Sequence, residues 1–218
     1  MPDTVHVLLP LSLLEAIRSV DTPEGEDVEY VQELRNKRLG LSDTVHAQIR
    51  RYGDALRRSQ PIAAMEATSL ATLIGRRPDA EDIFRSAGRG IARRMYERIP
   101  RVTRKMTHVL PSFLARPIAY RRMRSSFAKY LDASLRRSEG NLVLNVNKSA
   151  TADGAGGSEG CAFYGSALDE MLRLILPGSH SVEHSRCVKK ESPSCEWRAD
   201  WSKHAKKQKN QMKPAANA

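Results

Sequence analysis

Cysteine is almost missing from this sequence, with three in 218 residues and none before Cys161. An odd number placed so unevenly excludes the disulfide framework of a small secreted domain. Long apolar runs are missing as well. The best stretch, VHVLLPLSLLEAI from Val5 to Ile17, carries His6, Pro10 and Glu15. It falls short of the roughly 20 residues that cross a bilayer. With no basic flank and no small-residue cleavage site, it is not read as a signal peptide. No membrane span and a cytoplasmic location are therefore expected. No GxGxxG motif follows a strand, and no Ser-His-Asp set or paired carboxylates stand in a supporting context, so no catalytic residue is assigned.

Acidic residues are scarce in one region only. Arg85 to Arg137 carries 15 basic residues against Glu97 and Asp132, while Met1 to Phe84 carries 10 basic and 14 acidic ones. That central segment and five lysines after Trp201 account for the net charge of +11. A basic segment of this kind suits an anionic partner such as nucleic acid, lipid headgroups or a carboxylated ligand. Amphipathic helices with solvated arginine faces look the same. No helix-turn-helix, RNP or zinc-finger spacing supports base reading; Arg85, Arg89, Arg93, Arg121 and Arg122 are the candidate phosphate contacts, and only weak, sequence-blind nucleic-acid binding that depends as much on the lysine tail is expected.

The rest of the chain divides by its periodicity. An acidic loop is expected at residues 21–29. Ser42 is an N-cap candidate for a helix bearing Val45, Ile49, Tyr52 and Leu56 at helical spacing. Pro61 opens a second helix that Gly75 closes, and Pro78 opens a third. The third has an apolar stripe through Ile83, Ala87, Ile91, Met95 and Ile99, with Gly88-Arg89-Gly90 inside it. Pro111 and Pro117 punctuate the next stretch, and a fourth helix is expected from Ile118 through Arg137. After Gly140 the pattern changes. NLVLNVN alternates as a strand, TADGAGGSEG reads as a flexible loop, and CAFYGSALDEMLRLIL is a helix stopped by Pro177-Gly178. Two strands then flank the turn KKESPS, with Cys195, Trp197, Ala199 and Trp201 on one face of the second.

The expectation is an α+β fold with a helical N-terminal layer on a small antiparallel sheet and a β-α-β-β C-terminal unit. Residues 1–201 are taken as a single ligand-binding domain, mainly helical to 139, with the metal-bearing unit at 140–201. Residues 202–218 are taken as a disordered basic tail.

A hairpin centred on Glu191 sets Cys187 opposite Cys195, with Cβ atoms about 4.5–5.5 Å apart. Cys161, at the head of the preceding helix, can bring a third sulfur, and His184 or Glu183 a fourth ligand to a structural zinc. Inert core thiols are the simpler alternative, because free cysteine is commonly buried. In a flat strand His184 and Cys187 face opposite sides, so a zinc site requires a bulge or a strand end between them.

These intervals carry a resemblance. Cys161 to Trp201 resembles the 4-vinyl-reductase-type domain of the nitric-oxide-signalling and Golgi-transport ligand-binding fold. That family places a cysteine at a helix head and, about two dozen residues on, an acidic residue or histidine. A cysteine follows three positions later, and another eight beyond that. Cys161, His184, Cys187 and Cys195 fit each interval. The helix IFRSAGRGIARRMYERI is also similar to the family's glycine-containing basic helix. Glu191-Ser192-Pro193 departs from the glycine-acid pair common in its hairpin turn. The resemblance implies a structural zinc on those four residues and a pocket for a small apolar or aromatic ligand, up to a tetrapyrrole. Phe163, Tyr164, Met171, Val182 and Trp197 are its candidate contacts. It also implies a homodimer and a sensor or carrier role, with vinyl reduction of a tetrapyrrole as the enzymatic alternative.

Overall fold

The α+β class expected from the sequence is the one observed in the computed structural model. The structure describes residues 4–22, 39–176, 180–188, 192 and 194–201. Most of the acidic loop at 21–29, Pro177-Gly178, most of the KKESPS turn and the tail at 202–218 lie outside the described residues.

The segment too short to cross a bilayer becomes α1 (Leu8–Asp21), buried on nearly every side, as a helix apolar all round must be. It is preceded by β1 (Thr4–Val5), which pairs with β2 (Ile62–Ala63). Helix α2 (Asp43–Arg57) starts where Ser42 predicts, with the Val45 N–H donating to Ser42 Oγ at 3.3 Å. Helices α3 (Ala64–Gly75) and α4 (Ala80–Glu97) follow, and the Ile83–Met95 stripe of α4 is buried. Then come α5 (Arg101–Val109) and α6 (Ser112–Leu131). Among the described residues no helix is long and apolar enough to cross a membrane.

The expected fourth helix stops early. Asp132 takes a left-handed conformation (φ 50°) that ends α6 at Leu131, and the chain turns into β3 (Ser134–Ser138). Glu139 and Gly140, both with positive φ, form the two-residue turn into β4 (Asn141–Val146). Leu135 pairs with Leu144 and is buried, so sheet packing overrides the helical propensity of Leu135-Arg136-Arg137. The C-terminal unit therefore has one strand more than expected. Its remaining elements are α7 (Ala150–Gly154), α8 (Ala162–Ile175), β5 (Val182–Arg186) and β6 (Cys195–Asp200). The sheet order is β3-β4-β6-β5, antiparallel throughout.

The glycine-rich loop is packed rather than loose. A Cβ on Gly154 would lie 2.5 Å from the Thr68 carbonyl oxygen, and one on Gly160 only 2.1 Å from that of Thr151. Thr151 Oγ1 also donates to the Gly160 carbonyl at 2.9 Å. These glycines allow backbones to touch, and the contact fixes the entry to α8.

The same device joins α4 to α8. A Cβ on Gly88 would stand 2.2 Å from the Phe163 carbonyl oxygen, whereas one on Gly90 meets nothing within 4 Å. Gly88→Ala is expected to destabilise the protein by about 1–3 kcal/mol through overpacking. Gly90→Ala should instead be neutral or stabilising by up to about 1 kcal/mol. Urea unfolding of the two variants checks this, and equal midpoints would remove Gly88 from the account.

Candidate metal centre

Three segments converge at the end of the sheet. Cys161 ends the short 3-10 turn Glu159–Cys161 and stands at the N-cap position of α8, with no cap hydrogen bond from its side chain. Cys187 lies just past the end of β5, and Cys195 opens β6. Of the bulge or strand end that a zinc site requires between His184 and Cys187, both are present. His184 pairs with Trp197 and Arg186 with Glu196, leaving Ser185 as the extra residue. Ser185 Oγ anchors it by donating to the Glu196 carbonyl at 3.1 Å and to Glu196 Oε1 at 3.3 Å.

As a result Cys161, His184, Cys187 and Cys195 come together, with one ligand atom from each within 4.8 Å of all the others. Glu183, the alternative fourth ligand, is not in the cluster; it pairs with Arg198 across the strands. Cys161 Sγ is 3.7 Å from Cys187 Sγ and 3.7 Å from Cys195 Sγ. These are far longer than a disulfide, about 2.05 Å. Four ligands tetrahedrally placed at about 2.3 Å from a centre have edges of about 3.8 Å. The three sulfurs are buried and His184 is on the open side.

The surroundings hold these groups in place. The Val188 N–H donates to Cys195 Sγ at 3.4 Å. The His184 ring stacks on Trp197, with centroids 4.8 Å apart and planes 10° from parallel. Trp197 continues to Tyr164 (5.4 Å), and Tyr164 to Phe163 edge-on (5.1 Å). On the opposite face of β6 the buried carboxylate of Glu196 accepts from Arg136 at 3.0 Å and Arg198 at 3.1 Å. Burial works against its charge, but Arg198, Ser185 and Arg136 outweigh that and hold the carboxyl below its usual range.

The thiols are strongly split. Cys195 is drawn down to about 5, first by the hydrogen bond from Cys161, against burial, and then by the Val188 N–H and His184. Cys161 is pushed far above the ordinary thiol range by Cys195, by burial and by Cys187. Neighbouring sulfurs at this distance do not all ionise by themselves. A bound divalent cation removes that conflict, because it favours deprotonated sulfur at every ligand position. The four residues can hold a metal ion.

Comparison of the chain with protein-family models, with curated proteins and with solved structures finds no match in any of the three.

The candidate ligand contacts do not gather in one cavity. Val182 and Trp197 line an open basin of about 440 Å³ beside the metal cluster, with Cys161, His184, Arg85 and Asp169. Tyr164 lines another cavity of about 370 Å³, formed by β1, the residues flanking β2, the end of α6 and the residues leading into α7. Phe163 and Met171 line neither and are buried in the core. The second cavity escaped the sequence because His6, Lys129, Lys148 and Tyr164 belong to four distant segments. Of the arginines considered for phosphate contacts, Arg85 pairs with Glu81, and Arg93 bonds the buried Glu170 at 2.7 Å. Arg89, Arg121 and Arg122 are exposed.

Cys187→Ala, or stripping metal with a strong chelator, is expected to loosen β5 and β6 while α1 and α4 stay protected from hydrogen exchange. Structural zinc contributes on the order of 10 kcal/mol in small peptides. Losing about 3 kcal/mol would lower Tm by about 6–12 °C in a protein of this size. An unchanged Tm in both treatments would leave the cluster as three inert thiols.

Proposed function

We propose that this chain is a small-molecule-binding module of the 4-vinyl-reductase type, with a structural zinc holding its C-terminal hairpin to α8. The observation that carries the reading is the set of three sulfurs, with Cys161 Sγ 3.7 Å from each of the other two, completed by His184 at the family's interval. A set of three buried sulfurs and one imidazole supplies four protein ligands, which suits structural zinc rather than a hydrolytic centre.

Ligand binding is assigned to the cavity of about 370 Å³. Val5, Val7, Leu9, Leu131 and Tyr164 supply apolar walls, and Lys129 and Lys148 supply cationic groups. His6 Nδ1 accepts the Leu8 N–H at 3.2 Å, so Nε2 carries the ring proton. Burial, then Arg98 and Lys129, lower the His6 pKa and keep the ring neutral near pH 7. The volume lies at the low end of the range for ligand cavities, about 300–1,000 Å³. It favours a one- or two-ring aromatic acid over a tetrapyrrole macrocycle. A sensor or carrier then follows, with output through a second copy or another protein.

The reductase alternative gains nothing from the glycine-rich loop, whose close approaches are taken up by Thr68 and Thr151.

Native mass spectrometry of the freshly purified protein reads metal, bound small molecule and subunit number together. One zinc per chain is expected, with the homodimer visible in the same spectrum. Thermal-shift titration with aromatic carboxylates and matched neutral amides tests the cavity. Carboxylates are expected to bind at least about 10-fold tighter, a preference that Lys129→Ala with Lys148→Ala should abolish. A flat response from folded, metal-loaded protein would refute the ligand assignment, and less than one zinc per chain would refute the metal.

A further inference from the structure

Helix α5 is built inside out. Its two buried residues are Thr103 and Thr107, while Val102 and Val109 are 71% and 82% exposed and Met106 is 42% exposed. At 3.6 residues per turn, positions 102, 106 and 109 fall within about 60° of arc. The stripe continues past the Leu110-Pro111 corner into the first turn of α6, where Phe113 and Leu114 are 64% and 45% exposed. Of the nine large apolar side chains exposed among the described residues, five lie in this one span. An ordinary surface helix does the opposite, turning its apolar stripe inward.

The charge beside the stripe is of one sign. Between Glu97 and Asp132 the chain has nine lysines and arginines and no carboxylate. Arg101 and Lys105 are exposed on the flank of α5, and Arg98 is exposed just before it. Among the described residues none of Arg98, Arg101, Arg104 and Lys105 forms an ion pair. Arg104 lies over the Tyr96 ring at 5.2 Å.

We propose that the α5–α6 corner is a docking surface for an anionic lipid bilayer, with Val102, Met106, Val109, Phe113 and Leu114 entering the headgroup–acyl boundary and Arg101 and Lys105 contacting lipid phosphates. An apolar stripe flanked by cations is the pattern of helices that lie in that interface. A second copy of the chain fits poorly, since pairing this face with itself opposes cation to cation. Nucleic acid uses the cations but gives the aliphatic stripe no partner. This surface is independent of the metal cluster and of the ligand cavity.

The test is flotation of the full-length protein with phosphatidylcholine vesicles, with and without about one third phosphatidylglycerol, beside a duplex-DNA titration. Binding to the anionic vesicles alone is expected, weakening as salt rises. Val109→Asp with Phe113→Asp should reduce it by on the order of 100-fold. Arg101→Gln with Lys105→Gln should reduce it by about 30-fold. All these side chains are exposed, and far-UV circular dichroism with metal content verifies folding. Should the aspartate variant misfold, the glutamine variant and a blue shift of Phe113→Trp fluorescence on vesicle addition decide the matter. The proposal is overturned by failure to float with anionic vesicles, or by flotation indifferent to the substitutions. It is equally overturned if the folded aspartate variant converts a dimer to monomers, or if Arg101 and Lys105 prove to serve DNA binding without vesicle binding.

Discussion

Three thiols gathered in a buried corner, with Cys161 Sγ 3.7 Å from each of the other two, present an electrostatic problem that the rest of the C-terminal unit is arranged around. Only a shared cation lets all of them carry charge together. Each sulfur comes from a different segment, so a metal there would tie the head of α8 to both strands of the β5–β6 hairpin. The sheet edge needs such a tie. Strand β5 is the exposed last strand of the order β3-β4-β6-β5, and little of its own surface is buried.

The position of that corner is set from the helical side. Close contact at Gly88 seats α8 on α4, and the packed turn around Thr151 and Gly160 fixes the residue before Cys161. From the strand side, Ser185 and Glu196 hold the bulge that swings His184 toward the sulfurs, and the Trp197 ring orients the imidazole. Helix contact, bulge and aromatic stack all act on one group of four side chains. The α5 face lies outside this arrangement and has its own logic, polar inside and apolar outside.

The parts legible in the sequence were those encoded by short-range spacing. The intervals among Cys161, His184, Cys187 and Cys195 pointed to the cluster through the resemblance they carry, and the conflict of strand phase required either a bulge or a strand end. The stripe of α4 and the cap at Ser42 were equally readable. Strand β3 was not, because Leu135-Arg136-Arg137 suits a helix and only the positive φ of Asp132 and pairing with β4 override it. The glycine loop looked loose because composition does not show that Gly154 and Gly160 touch other backbone. Neither the cavity beside His6 nor the exposed face of α5 was visible. The first joins residues far apart in the chain, and the second violates the inward-apolar rule by which helices are recognised.

The most direct test of the central claim is X-ray absorption at the zinc edge on protein purified without added metal. The account predicts a four-coordinate shell with three sulfurs at about 2.3 Å and one nitrogen at about 2.0 Å, losing one sulfur in Cys187→Ala. Protein that carries no stoichiometric metal, or a shell dominated by oxygen, would contradict it.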